Sequence, residues 1–167
     1  MERWFRMEDK SLCDIVDHTR EQLGSKDGLK VYVASDSQVK KKDIYMATVI
    51  VYRYGTNGAH YVYHLETIPR KKMTIYERLF DEGSRTINTA MLLKENIPSL
   101  SIEALEFDYN GVKKTVSTPL ISVMRGWALG LGFNPVFKGG QMLANKAGDH
   151  VCRKKEKEDQ KINLVYS

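Results

Sequence analysis

Cysteine is scarce in this chain, histidine scarcer than acid, and no long apolar run occurs. The 167 residues include two cysteines, Cys13 and Cys152, far apart in sequence. That excludes a disulfide framework and a zinc site built on paired thiolates, and it fits a reducing, cytoplasmic location. No stretch approaches the roughly 20 consecutive apolar residues that span a bilayer, so no membrane partner is expected. The first six residues carry no apolar core of a secretory signal. No internal repeat is visible. What is present is an ordinary globular balance, 42% hydrophobic and 28% charged, which predicts one domain with a substantial core. The net charge of +5, from 26 Lys and Arg against 21 Asp and Glu, leans mildly toward a polyanionic partner.

The central stretch is Val31, Tyr32, Val33, Ala34, Ser35, Asp36, Ser37, Gln38. It begins as a β-branched apolar run, the pattern of a strand buried on both faces. It then sets a carboxylate, Asp36, at or near the strand's end. A lone ionised carboxylate there is costly unless a cation, hydrogen-bond donors or a metal compensates it.

Around this stretch the chain reads as alternating elements. An amphipathic helix is expected from about residue 8 to 23, on Leu12, Ile15, Val16, Thr19 and Leu23. After the first strand, residues 44–54 form a second, an Asn57, Gly58 pair turns the chain, and residues 60–67 return. His60 and His64 share a face of that returning strand; the spacing permits metal ligation, but a solvated face is the expectation. Thr74 and Glu77 match a capping box opening a helix. On its apolar stripe Glu82 falls at the shoulder, at the expected boundary between sheet and solvent, with Asp81 the substitute if the phase is off by one. Residues 100–108 alternate as a strand ending on Asp108. Thr118 and Pro119 read as N-cap and first position of a third helix. Residues 134–138 make a short strand, and Gly139, Gly140 open a last helix carrying Asp149 away from its buried stripe. Residues 153–161 are densely charged, as at a solvated helix end.

One hairpin followed by helical crossovers makes the first, third, fourth and fifth strands parallel, with only the second opposed. Their C-terminal ends then share one edge, where open α/β sheets bind ligands. If the first and fourth strands are neighbours, Asp36 and Asp108 lie roughly 4.8 Å apart, too close for two bare carboxylates. Glu82 and Asp149 can lean toward the same place. Four acids with no cysteine suit a hard divalent ion, Mg²⁺ or Mn²⁺, and two such ions suit phosphoryl displacement. Lys40, Lys41, Lys42, Arg70, Lys71, Lys72, Lys113, Lys114 and Lys138 should rim that edge and hold a polyanionic backbone. Tyr109, Trp127 and Phe133 are candidates for base stacking, the last two more naturally core.

The series Asp36, Glu82, Asp108, Asp149, with this order of elements, resembles the ribonuclease H-like superfamily. More narrowly it is similar to a bacterial and phage family of ribonuclease H-related nucleases. The resembling blocks are Ala34, Ser35, Asp36, Ser37, Gln38; Arg78, Leu79, Phe80, Asp81, Glu82; Phe107, Asp108, Tyr109, Asn110; and Lys138 with Ala147, Gly148, Asp149. The resemblance implies an α/β, ribonuclease H-like fold. Its five-stranded mixed sheet would have the order 3-2-1-4-5, with strand 2 antiparallel and helices on its flanks. Residues 1–29 would be an added N-terminal helix and linker, 30–155 the domain, and 156–167 a charged tail. It also implies an endonuclease dependent on two Mg²⁺ or Mn²⁺ ions, acting on RNA, DNA or their hybrid. Asp36 would bridge both ions, Glu82 and Asp108 share one, and Asp149 complete the other. Metal-activated water would leave a 3′-hydroxyl and a 5′-phosphate. Ser37, Gln38, Asn110, Asn145 and His150 are possible accessory residues, His150 as a proton shuttle. The alternative is a non-catalytic nucleic-acid-binding module on the same fold. A sugar-kinase-like ATPase would need Gly-rich phosphate loops that are not visible.

Overall fold

The computed structural model describes residues 2–25, 27–56, 58–110, 112–137 and 142–166. Its centre is a β-branched run long enough to be buried on both faces. Strand β3 (Leu29–Val39) pairs antiparallel with β4 (Asp43–Tyr54), whose Ile44 to Tyr52 are all buried. β4 pairs antiparallel with β5 (Ala59–Pro69) through a turn in which Gly58 adopts φ 120°. Asn57 of that turn lies outside the described residues. Strands β6 (Ile102–Glu106) and β7 (Pro135–Val136) add in parallel on the other side of β3.

These five strands stand in the expected order, with β4 the opposed one, but the sheet has seven strands rather than five. Strands β1 (Trp4–Arg6) and β2 (Leu12–Cys13) extend it, β1 pairing antiparallel with β5. Residues 8–13, expected as the start of a helix, belong instead to this hairpin and its turn. Helix α1 (Ile15–Ser25) begins later because the Asp14 carboxylate accepts the N–H groups of Val16 and Asp17. Helix α1, through His18 against His60, and Trp4 of the hairpin cover much of the β5 face expected to be solvated. Val62 is fully buried, His64 lies 5.9 Å from the Trp4 ring, and its Nδ1 contacts the Arg3 carbonyl.

Helix α2 (Ile75–Asn96) starts with the expected reciprocal cap between Thr74 and Glu77. Helix α3 (Lys114–Gly130) starts earlier than expected, so Thr118 is not its cap and Pro119 sits in its second turn. There the proline forfeits one helical hydrogen bond, outweighed by burial of Ser117, Leu120 and Met124. Helix α4 (Leu143–Tyr166) carries the charged residues 153–161 as continuous helix. Gly139 and Gly140, read as its opening, lie outside the described residues.

Alternation divides the core in two. Val31 and Val33 face α1, α2 and α3, meeting Ile15, Leu79, Ile87, Leu120 and Met124. Ala34 shares the other face with Val49 and Val51 and meets Ala144, Ala147 and Val151 of α4. No helix of the described residues is long and apolar enough to cross a membrane.

Candidate nucleic-acid site

The acids are positioned by register. The last β3–β6 pair is Ala34 with Glu106. Asp36 and Asp108 each lie two residues beyond it, at the C-terminal edge. β3 does not stop at Asp36, however. It runs on to Val39, because Ser37 and Gln38 still pair with Met46 and Tyr45 of β4.

That continuation sends Asp36 and Ser37 to opposite faces. On the α4 side, a Cβ at Gly148 would stand 3.1 Å from the Asp36 Cβ. Glycine therefore lets α4 press against β3 where the carboxylate leaves the strand. The buried Cys152 thiol adds a weak contact to the Asp36 carbonyl. Asp149, one residue past Gly148, accepts from the Gln38 amide at 2.9 Å and pairs with Arg153 at 2.9 Å. The Arg153 pair is exposed, of a kind that contributes about 0.2–1 kcal/mol.

On the α2 side, Glu82 is buried, not at the solvent boundary expected for it. The difference comes from Ser37, whose hydroxyl donates to the Glu82 carboxylate and receives a hydrogen bond from Arg78 at 2.7 Å. Arg78 itself stands 3.8 Å from Glu82. Asp81, the substitute, is taken by Arg85, which also binds Glu66.

Burial and the nearby Asp149, with a smaller push from Asp108, raise the Asp36 carboxyl to about 7. Burial and Asp36 raise Glu82 well above the ordinary carboxylate range, against the Ser37 hydrogen bond and Arg78. The four acids thus act on one another electrostatically. Among the described residues, no three His, Cys, Asp or Glu stand in a metal-holding arrangement. Two acids have arginine neighbours, and Glu82 reaches the edge from the far face of β3. The donor set is nonetheless all hard oxygen, and the net push toward protonation is what a divalent cation relieves. The residues fit such an ion chemically.

Two residues nearby take part: Glu106, which the sequence did not announce, and the accessory candidate Asn145. Glu106, buried in β6, accepts the backbone N–H groups of Leu143, Ala144 and Asn145. It caps α4 from a neighbouring strand; its place two residues before Asp108 in the alternating run was the only signal. Asn145 is buried, and its amide nitrogen has no partner among the described residues. It sits one helical turn before Asp149, on the same side of α4. Of the other accessory candidates, Asn110 donates its backbone N–H to Asp108, and His150 is exposed.

The basic loops lie at the same edge. Lys40, Lys41 and Lys42 connect β3 to β4, and the N–H of Arg70, which follows β5, bonds the Lys42 carbonyl. Lys40 is paired with Glu156 of α4 at 2.5 Å. Lys41, Lys42, Arg70, Lys71, Lys113 and Lys114 are exposed. The side chain of Lys72 and the whole of Lys138 lie outside the described residues. Tyr109 and Phe133 are core and Trp127 packs against it, so none of the three is free for stacking. His60 meets His18 at 3.1 Å, not His64.

Fold and site together define an α/β protein with a carboxylate-rich centre at the C-terminal edge of a mixed sheet, beside exposed basic loops. A family model described as ribonuclease H-like matches residues 12–153, and the chain belongs to that family. No curated protein matches it. Membership in the family connects the chain with nuclease-type or nucleic-acid-related function.

Proposed function

We propose that the protein is a cytoplasmic endonuclease that hydrolyses phosphodiester bonds of RNA or DNA with Mg²⁺ or Mn²⁺. Asp36, Glu82, Asp108 and Asp149 would hold the ions. The observation that carries the proposal is the pair Asp36 and Glu82. Both carboxyls are pushed toward protonation by burial and by neighbouring acids, at an edge ringed by lysines. A structural acid is normally spared such an environment. The bound ions would supply Lewis-acid polarisation of the phosphate and a nucleophile at neutral pH.

The chain's own residues do the rest. Arg78 and Ser37 hold Glu82 in one orientation, so its carboxylate is set before substrate arrives. Gln38 does the same for Asp149. The Asn145 amide nitrogen, which has no partner among the described residues, can donate to a phosphate oxygen. Lys41, Lys42, Arg70 and Lys71 would hold the flanking phosphates, making affinity fall with salt.

A second reading is a non-catalytic nucleic-acid-binding module. The Arg153 partner of Asp149 and the absence of a three-acid arrangement among the described residues favour it. Cleavage of single-stranded, duplex and hybrid substrates with Mn²⁺ separates the two. Wild type should cut at least one of them, and Asp36→Asn should cut none. Equal cutting by both proteins would remove the nuclease proposal, and binding without cutting would favour the module.

A further inference from the structure

A cleft of about 900 Å³ opens just past Asp108, between the chain after β6, the first turns of α3 and the end of β7. Its walls include Tyr109, Lys114, Ser117, Thr118, Arg125 and Phe137, and no carboxylate of the described residues lines it. Lys114 and Arg125 are exposed, and neither pairs with an acid of the described residues. By contrast, every arginine of the other described α-helices has an acidic partner, Arg20, Arg78, Arg85 and Arg153 alike. The chemistry of the cleft therefore asks for an anion.

It also asks for something flat. Phe137 stacks at 5.1 Å on the buried Phe107, and the Arg125 guanidinium lies 4.9 Å from the Phe137 ring centre. An arginine held by a ring instead of an acid keeps its charge uncompensated and presents a planar group on which a base can stack. Ser117 and Thr118 offer hydroxyls for sugar or phosphate. Tyr109 forms the wall toward the acids: it follows Asp108 directly, and its hydroxyl reaches the Leu79 carbonyl on the turn of α2 before Glu82.

We propose that this cleft holds an unpaired nucleotide of the nucleic-acid strand next to the phosphate at Asp36 and Asp108, so that the protein selects single-stranded segments. The inference rests on the nuclease reading for its placement beside a cut phosphate, but the binding does not. A base inside a duplex has both faces covered by its neighbours and cannot lie on Arg125. A splayed base in a strand can, with Lys114 on its phosphate.

The test is fluorescence anisotropy of the full chain in EDTA, with labelled 12-nucleotide single strands of DNA and RNA, the matching 12-base-pair duplexes, and AMP as competitor. Single strands should bind at least tenfold tighter than duplexes. Arg125→Ala should weaken single-strand binding about tenfold, and Arg125→Lys should restore only part of it, because charge returns without the plane. Lys114→Ala should lower the slope of log affinity against log salt by about 0.7, the loss of one phosphate contact. Single-strand affinity unchanged in Arg125→Ala overturns the proposal, as does a duplex bound as tightly as the strand. AMP competing as strongly as an oligonucleotide overturns it in favour of a free nucleotide. The two readings fail separately. No cleavage with Mn²⁺ but Arg125-dependent binding removes the nuclease and leaves the cleft; cleavage with unchanged KM in Arg125→Ala does the reverse.

Discussion

Asp36 and Ser37 are adjacent in sequence and serve opposite faces of one strand. Asp36 is pressed by Gly148 and meets the charge of Asp149; Ser37 carries the hydrogen bond that lets Glu82 be buried. The cost falls on Asp36, and its sign with pH follows from its raised value. Below about pH 4 the carboxyl is protonated whether the chain is folded or not, and it costs nothing. As pH rises from 3.8 to about 7 the unfolded chain ionises first, so stability falls; above about 7 the full penalty stands. In metal-free protein, Asp36→Asn should raise unfolding stability by ~3 kcal/mol at pH 8, with the gain vanishing near pH 3.5. Urea unfolding at the two pH values checks this, and a mutant no more stable at pH 8 contradicts it. Asp36 and Asp108 were legible as candidates in the sequence, since carboxylates near the ends of apolar runs are conspicuous. The burial of Glu82 was not. It depends on a serine reaching across from another element, and helical phase alone says only which side a residue faces.

At the scale of elements, α4 is the one whose position matters most, because it carries Asn145, Gly148 and Asp149 together. Its start is held by the Glu106 carboxylate, from a strand 37 or more residues earlier in the chain. Glu106→Ala removes the acceptor for three buried N–H groups and should cost about 1–3 kcal/mol in urea unfolding at pH 7. Glu106→Gln keeps one acceptor oxygen and buries no charge, so it should lose less. Amide exchange at Ala144 and Asn145 should quicken in Glu106→Ala; unchanged exchange would show that the cap does not hold the helix. The elements legible in advance were those with strong local signals. The capping box of α2 and the long β-branched runs of β3, β4 and β5 belong to that group. The N-terminal hairpin was missed because two strands of three and two residues have too little periodicity to compete with a helical pattern. The start of α3 was missed because packing of its first two turns overrode the local preference of Thr118 and Pro119.

For the whole molecule, folding brings acids from β3, the chain just after β6 and two helices into one field. In the proposed reading a divalent ion would tie these segments together and stabilise the native state by mass action. Mn²⁺ at a hundred times its dissociation constant should add about 2.7 kcal/mol, roughly 5–10 °C in Tm for a chain of this size. Thermal unfolding with and without Mn²⁺ checks it. The shift should be absent in Asp36→Asn, and a wild type that does not shift would count against metal binding at these acids.

By itself, the sequence determined the alternation of buried strands and amphipathic helices, the parallel or opposed sense of the five central strands, and that Asp36 and Asp108 fall toward one edge. Those follow from periodicity, turn chemistry and the handedness of crossovers, all local or nearly so; the order of the strands came from the family resemblance. Only the tertiary structure decided which side of β3 each acid serves, that Glu82 is buried under Ser37, that Glu106 caps α4, and that Arg125 rests on a ring beside an open cleft. Each of these is a contact between segments distant in the chain. Their energies come from desolvation and from partners that no stretch of sequence contains on its own.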